Sequence, residues 1–149
     1  MDVAGCSACE LLRGSRRVPG GILWRPRGFA LHVLDAPCPI AGWLVLTAAH
    51  HRRALYDLEP EEAAALGTLA REVMRAQRAV LGAEHVYAFA IGDALPHFHL
   101  HLVPRFAETP QRLRGRGCFE GRPEDALAPD ALAAAAARIG RALADAAGP

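Results

Sequence analysis

Lysine is absent from this chain, and all 17 of its basic residues are arginine. The absence excludes a phosphate-binding loop built on a lysine and every covalent mechanism that runs through a lysine amine. Fixed positive charge for a phosphate must come from arginine, whose planar fork suits that anion. A charge excess is missing as well. The 17 basic residues stand against 16 acidic ones, so no nucleic-acid partner is expected. No apolar run approaches the length of a membrane span, and no membrane partner is expected. Met1 to Cys6 has neither the basic region nor the apolar core of a secretory signal, so the expected location is cytoplasmic. Cysteine is scarce, four in 149 residues, and in that compartment cysteines are reduced or metal-bound. Apolar side chains make up 52% of the chain, enough for the core of a single domain over residues 1–149.

The most informative stretch reads Pro96-His97-Phe98-His99-Leu100-His101-Leu102-Val103-Pro104-Arg105. Its alternation has the period of a β-strand, which puts the three imidazoles on one side and Phe98, Leu100 and Leu102 toward a core. Imidazoles two residues apart on a strand lie about 6.5–7 Å from each other, a spacing that suits a phosphate or a metal. Histidine attacks, donates or ligates near neutral pH. Two chemistries fit this pattern: histidines that act on a phosphate, and a zinc held by three imidazoles.

The flanking sequence predicts the other elements. Residues 1–20 form a short, polar, Gly-rich segment holding Cys6-Ser7-Ala8-Cys9. Strands are expected at Ile22–Trp24, Phe29–Leu34, Trp43–Leu46 and Val86–Ile91, with the histidine stretch as the fifth. Asp93 to Pro96 is too tight for a crossover helix, so the last two strands pair antiparallel. Glu59-Pro60-Glu61-Glu62 opens a helix whose acids sit where the dipole favours them, and Gly82 stops it. A second helix follows Pro129-Asp130, with Leu132, Ala136, Ile139 and Leu143 on one face. The C-terminal region, 107–149, thus comprises a loop and this helix. The loop carries Arg112-Leu113-Arg114-Gly115-Arg116, which reads as a solvated stretch or as a phosphate contact. Phe29 and Leu31 are among the apolar residues that could wall a base pocket.

His97 to Val103 matches, at all seven positions, the His-φ-His-φ-His-φ-φ motif of the histidine triad (HIT) superfamily, where φ is apolar. Gly42-Trp43-Leu44-Val45-Leu46-Thr47-Ala48-Ala49-His50-His51 is similar to that family's Gly-His-x-Leu-Val-Ile-Pro-Lys-x-His segment. The equal length selects His51 over His50 as the counterpart of the final histidine. The resemblance runs from Cys6 to Arg105, about two-thirds of the chain. It implies an α+β HIT-like fold, an antiparallel sheet of about five strands with two main helices, paired into a homodimer. It further implies a nucleotide hydrolase or nucleotidyl transferase of the bacterial zinc-containing type, similar to diadenosine polyphosphate hydrolases. Such an enzyme would cleave dinucleoside polyphosphates or nucleoside monophosphate esters at the α-phosphate. His99, the middle histidine, would be the nucleophile and form a nucleotidyl-histidine. His101 would contact the phosphate oxygens and stabilise developing charge. Arg105 would assist, unless Pro104-Arg105 simply ends the strand. Asp35, seven residues before Gly42, corresponds to an acid that binds ribose hydroxyls; it also reads as a turn former before Ala36-Pro37.

Taken alone, Cys6-x-x-Cys9 fits a redox pair, two incidental cysteines, or half of a zinc site, and no βαβ pattern surrounds it. The resemblance implies zinc held by Cys6, Cys9, His51 and His97 in a closed structural site. Cys38 and Cys118 have no partner pattern and are expected to be structural. Three residues depart from the family. Trp43 stands where Hint-type proteins have a histidine, and Asp93 and Ala94 stand where many members carry Gln and Ser or Thr. Ala94 cannot assist a leaving group, and Asp93 repels a phosphate unless protonated or paired. Either the substrate brings a good leaving group, such as pyrophosphate, or another residue takes over that help. Two other functions fit the same residues: a nucleotide-binding protein without catalysis, and a zinc hydrolase with the triad histidines as ligands.

Overall fold

Short aliphatic runs pair edge to edge in the computed structural model, which describes residues 3–35 and 37–147. Strands β1 (Ile22–Trp24), β2 (Phe29–Val33), β3 (Leu44–Ala48), β4 (His85–Phe89) and β5 (His99–Arg105) form one sheet in the order β1-β2-β3-β5-β4. Every neighbouring pair is antiparallel, including β4 with β5, as the tight connection predicts. The α+β architecture expected from the sequence is the one observed.

Register sorts the side chains into two faces. His32 is opposite Val45, Val45 opposite His101, and Thr47 opposite His99. Alternation therefore gathers His32, Val45, Thr47, His99 and His101 on one face. Phe29, Leu31, Val33, Leu44, Leu46 and Leu102 point the other way and are buried. Phe29 and Leu31 thus belong to the core and do not wall a ligand pocket.

Two helices cover that apolar face. In α2 (Pro60–Leu81), Leu69, Val73 and Gln77 recur at the spacing of a buried stripe. In α3 (Pro129–Ala147), Leu132, Ala136, Ile139 and Leu143 are buried as their spacing predicts. The backbone N–H of Glu59 donates to Glu62 Oε2 at 2.9 Å, Pro60 fills the first turn, and Gly82 ends α2 at φ +76°. Buried Gln77 donates its amide to Gly42 O at 2.8 Å and Leu102 O at 2.9 Å, tying α2 to the sheet. Gly42 has φ +79°, and a Cβ there would run into the Leu81 side chain. The end of the Leu81 side chain fills the space that a side chain at residue 42 would take.

The structure departs from expectation in four places. The N-terminal segment contains a seven-residue helix, α1 (Ser7–Arg13), ended by Gly14 at φ +83°. So short a helix is marginal by itself; burial of Ala8, Cys9 and Leu11 holds it. Next, β5 starts at His99, so His97 precedes the strand; its N–H bonds Leu95 O and that of Phe98 bonds Arg52 O. The three imidazoles consequently do not share one surface. Third, β3 runs on to Ala48, and β4 ends at Phe89 rather than Ile91.

Finally, residues 107–128 are not a simply solvated loop. Three short 3-10 turns span Gln111–Leu113, Gly115–Glu120 and Pro123–Asp125. Arg112 grips both carboxylate oxygens of Asp125 and holds that group down at about 2. Arg114 donates to the carbonyls of Thr109 and Ala107, both at 3.0 Å. These two arginines serve the loop itself. Cys38 and Cys118 are buried thiols, each pushed up to about 11 by burial, in keeping with a structural role. Among the described residues, no helix is long and apolar enough to cross a membrane.

Candidate active site and metal centre

Cys6 and Cys9 sit one turn apart at the start of α1, the spacing at which two side chains of a helix meet. They face His51, from the segment after β3, and His97, from the segment before β5. Cys6 Sγ lies 3.3 Å from His97 Nδ1, and Cys9 Sγ lies 3.5 Å from His51 Nδ1 and 3.7 Å from His97 Nδ1. All four ligand atoms fall within 4.8 Å of one another. A tetrahedral zinc with sulfur at about 2.3 Å and nitrogen at about 2.05 Å would hold S and N roughly 3.6 Å apart. The cluster fits that ion.

Surrounding groups orient these ligands. His97 Nε2–H donates to Ala48 O at 2.8 Å, which leaves the Nδ1 lone pair for the cysteine side. The segment carrying His51 is stapled to the start of α2: Arg52 reaches Glu59 at 2.8 Å and Glu62 at 3.3 Å. His50 lies 3.5 Å from Glu62 and is exposed, so it is His51 that enters the cluster.

Beyond His97, the next two triad histidines are held in different tautomers. His99 Nδ1 lies 2.6 Å from His97 O. A carbonyl has no proton to give, so Nδ1 carries the hydrogen and Nε2 keeps a lone pair. His101 Nδ1 lies 3.1 Å from Trp43 Nε1, and an indole nitrogen only donates. Neutral His101 therefore carries its proton on Nε2. Burial, reinforced by His99 and His32, pushes its basicity down to about 4, so the ring is neutral at physiological pH. One neighbour presents a lone pair and the other a donor, with ring centroids 4.9 Å apart. Trp43 thus supplies the ring N–H at the place where the resemblance expects a histidine. Phe119, from the loop after β5, packs edge-on against both Trp43 and His101.

A cleft of about 130 Å³ opens over His99 and His101. Ala8, Leu11, Val18 and Leu34 supply apolar lining, and Asp35 and Arg16 stand together at the wall as an ion pair. Asp35 therefore shares a cavity with the two histidines. Its turn reading includes Ala36, which lies outside the described residues. Arg105 is not brought to this cleft: it ends β5, pairs in register with His85 and reaches Glu84 at 3.3 Å. Four residues of strand separate it from His101, roughly 13 Å. Asp93 and Ala94 are exposed and outside the cleft lining.

Two lining residues escaped sequence reasoning. His32 lies 2.8 Å from Val33 O through Nδ1 and 2.8 Å from Thr47 Oγ1 through Nε2. Strand alternation could have placed each on a face, but only the register of β2, β3 and β5 puts both beside the triad.

Solved structures share this fold. A Hit-like protein from Bartonella henselae superposes at TM-score 0.73 with 14% identity, over 94% of this chain and 97% of its own. A zinc-bound histidine triad family protein from Mycobacterium smegmatis superposes at 0.72 with 19% identity, over 95% and 97%. A hypothetical histidine triad nucleotide-binding protein from Sulfolobus tokodaii superposes at 0.73 with 14% identity, over 94% and 93%. The fold of this chain is the histidine triad fold. No protein-family model and no curated protein matches the sequence.

Proposed function

We propose that the chain is a nucleotide hydrolase or nucleotidyl transferase that works through a covalent nucleotidyl-His99. The observation that carries the reading is the pair of neighbouring imidazoles in opposite tautomers, lining one cleft with Asp35. The lone pair on His99 Nε2 attacks the α-phosphorus, a P–N bond forms, and the P–O bond to the leaving phosphate breaks with its electrons. His101 Nε2–H donates to a non-bridging oxygen as charge develops there. Water or a second acceptor then displaces Nε2 from phosphorus, and His99 returns to its neutral form. Asp35, oriented by Arg16, receives the ribose hydroxyls. With Asp93 and Ala94 outside the cleft, the substrates of choice have a stable leaving group, as dinucleoside polyphosphates and activated nucleoside monophosphate esters do.

Cys6, Cys9, His51 and His97 hold a structural zinc. The ion would fasten α1 to the strand bearing the nucleophile and fix the carbonyl that orients His99. The alternative zinc hydrolase needs three converging triad imidazoles. His97 instead turns to the cysteines, and among the described residues the metal-competent cluster contains neither His99 nor His101. A cytoplasmic homodimer completes the proposal.

The deciding experiment screens wild type and His99→Ala against adenine and guanine dinucleoside polyphosphates and nucleoside phosphoramidates. Reactions are quenched in alkali and read by intact mass, because a phosphohistidine bond is acid-labile. A nucleotide-sized adduct that vanishes with His99 supports the mechanism. Full activity in His99→Ala would overturn it, and tight nucleotide binding without turnover would favour a non-catalytic binder.

A further inference from the structure

Set in the wall of the cleft, His32 is given no step in the proposed reaction, yet its two hydrogen bonds decide where a neighbouring proton goes. Nδ1 faces the Val33 carbonyl at 2.8 Å, so it carries the ring hydrogen. Burial pushes the ring down to about 4 and keeps it neutral, so Nε2 is left as an acceptor. Thr47 Oγ1 lies 2.8 Å from that nitrogen and must be the donor. A hydroxyl has one proton, and the proton of Thr47 is committed to His32.

Thr47 is also the cross-strand partner of His99. Directly opposed residues have Cβ atoms about 5 Å apart, within reach of a threonine hydroxyl for an imidazole on the same face. Both residues line the cleft. Released from His32 on the β2 side, the Thr47 hydroxyl would be free to turn about χ1 toward β5 and the bare Nε2 of His99, the atom whose lone pair must attack phosphorus. Donation there would mask the nucleophile.

We propose that His32 is a positioning residue that draws the Thr47 hydroxyl proton away from His99 and so keeps the attacking lone pair unmasked. The inference rests on the function proposed above for its kinetic meaning, while its structural content can be read without turnover. His32 takes no step in the reaction; the residue acts through Thr47.

The test uses the full chain labelled with ¹⁵N-histidine and compares wild type, His32→Leu, His32→Gln and the double variant His32→Leu/Thr47→Val. In wild type, the nitrogen spectrum should show His32 protonated on Nδ1 and bare on Nε2. In His32→Leu, the released hydroxyl should move the His99 Nε2 resonance toward the hydrogen-bonded range. Glutamine at position 32 offers a carbonyl oxygen near the lost nitrogen, so His32→Gln should keep the wild-type signal. The double variant, with no hydroxyl, should also keep it. On a dinucleoside polyphosphate, kcat should fall roughly tenfold in His32→Leu with KM unchanged, the size of one ordinary hydrogen bond to the nucleophile. Adding Thr47→Val should restore the rate, which loss of mere packing would not do. Should His32→Leu fail to fold, His32→Met is measured in its place. An opposite His32 tautomer in wild type, an unmoved His99 signal in the folded single variant, or a double variant slower than the single one would each overturn the proposal. Failure of every nucleotide to turn over would instead reject the proposed function, and the nitrogen spectra would still decide the role of His32.

Discussion

The indole N–H of Trp43 donates to His101 Nδ1 at 3.1 Å, and this one bond sets the tautomer of the third triad histidine. Trp43→Phe removes the donor and keeps an aromatic ring in the fully buried position. His101 is then free to place its proton on Nδ1 and turn a lone pair toward the proposed phosphate position. We expect kcat to fall on the order of tenfold with little change in KM. Trp43→His, which retains a ring N–H, should keep more of the rate; steady-state kinetics of the two variants check this.

Loss of the proposed zinc should act first on stability. Cys6→Ser removes one of the four clustered groups proposed to hold zinc, which join α1, the His51 segment and the His97 segment. Bound zinc should drop from one equivalent per chain toward none. The midpoint of thermal unfolding should fall with it, by on the order of 10 °C or about 3 kcal/mol. Metal analysis and calorimetry of protein purified without chelators check both. Undiminished zinc in Cys6→Ser would dismiss the four-ligand site.

Acid should destabilise the fold before any carboxylate titrates. His32 and His101 ionise near 6.5 when unfolded and only near about 4 when folded, chiefly because burial penalises the charged ring. Between those values the unfolded chain binds protons that the folded chain refuses, so stability rises with pH there. Their contribution is complete above about pH 6.5 and is lost as pH falls toward 4, at up to about 3 kcal/mol for each ring. Urea midpoints measured from pH 7.5 to 5 should decline, and His32→Gln should flatten the decline.

Gly42→Ala should be costly although it adds a single methyl group. The backbone stands at φ +79°, and the new Cβ meets Leu81. Left-handed strain predicts a loss of about 1–2 kcal/mol, to which turning the terminal methyl of Leu81 aside adds little. Chemical denaturation of the variant reads it directly; a loss below about 1 kcal/mol would mean that the turn can relieve that strain.

Much of this arrangement was legible in local patterns. The apolar stripe of α3, the acidic opening of α2 and its stop at Gly82 are properties of short windows, and each appears where its spacing predicts. Strand alternation separated Leu102 from His101 without knowledge of any partner. Helix α1 was not legible, because burial rather than propensity makes it and its cover comes from distant segments. The loop after β5 misled for a related reason. Its arginines find Asp125 and backbone carbonyls within the loop, and Phe119 finds Trp43 only after the chain has folded back.

The histidine alternation, the Cys-x-x-Cys spacing, the limits of α2 and the start of α3 follow from the sequence alone, since period and capping are set by neighbours along the backbone. Even the tautomer of His99 is nearly local, because its acceptor is the carbonyl two residues earlier. The tautomer of His101 depends on a tryptophan 58 residues away. The companionship of His32 and Thr47 depends on strand register, and the distance of Arg105 from the cleft on the length of β5. Those features required tertiary structure, because a hydrogen bond across a sheet exists only when separate segments have chosen one pairing out of many.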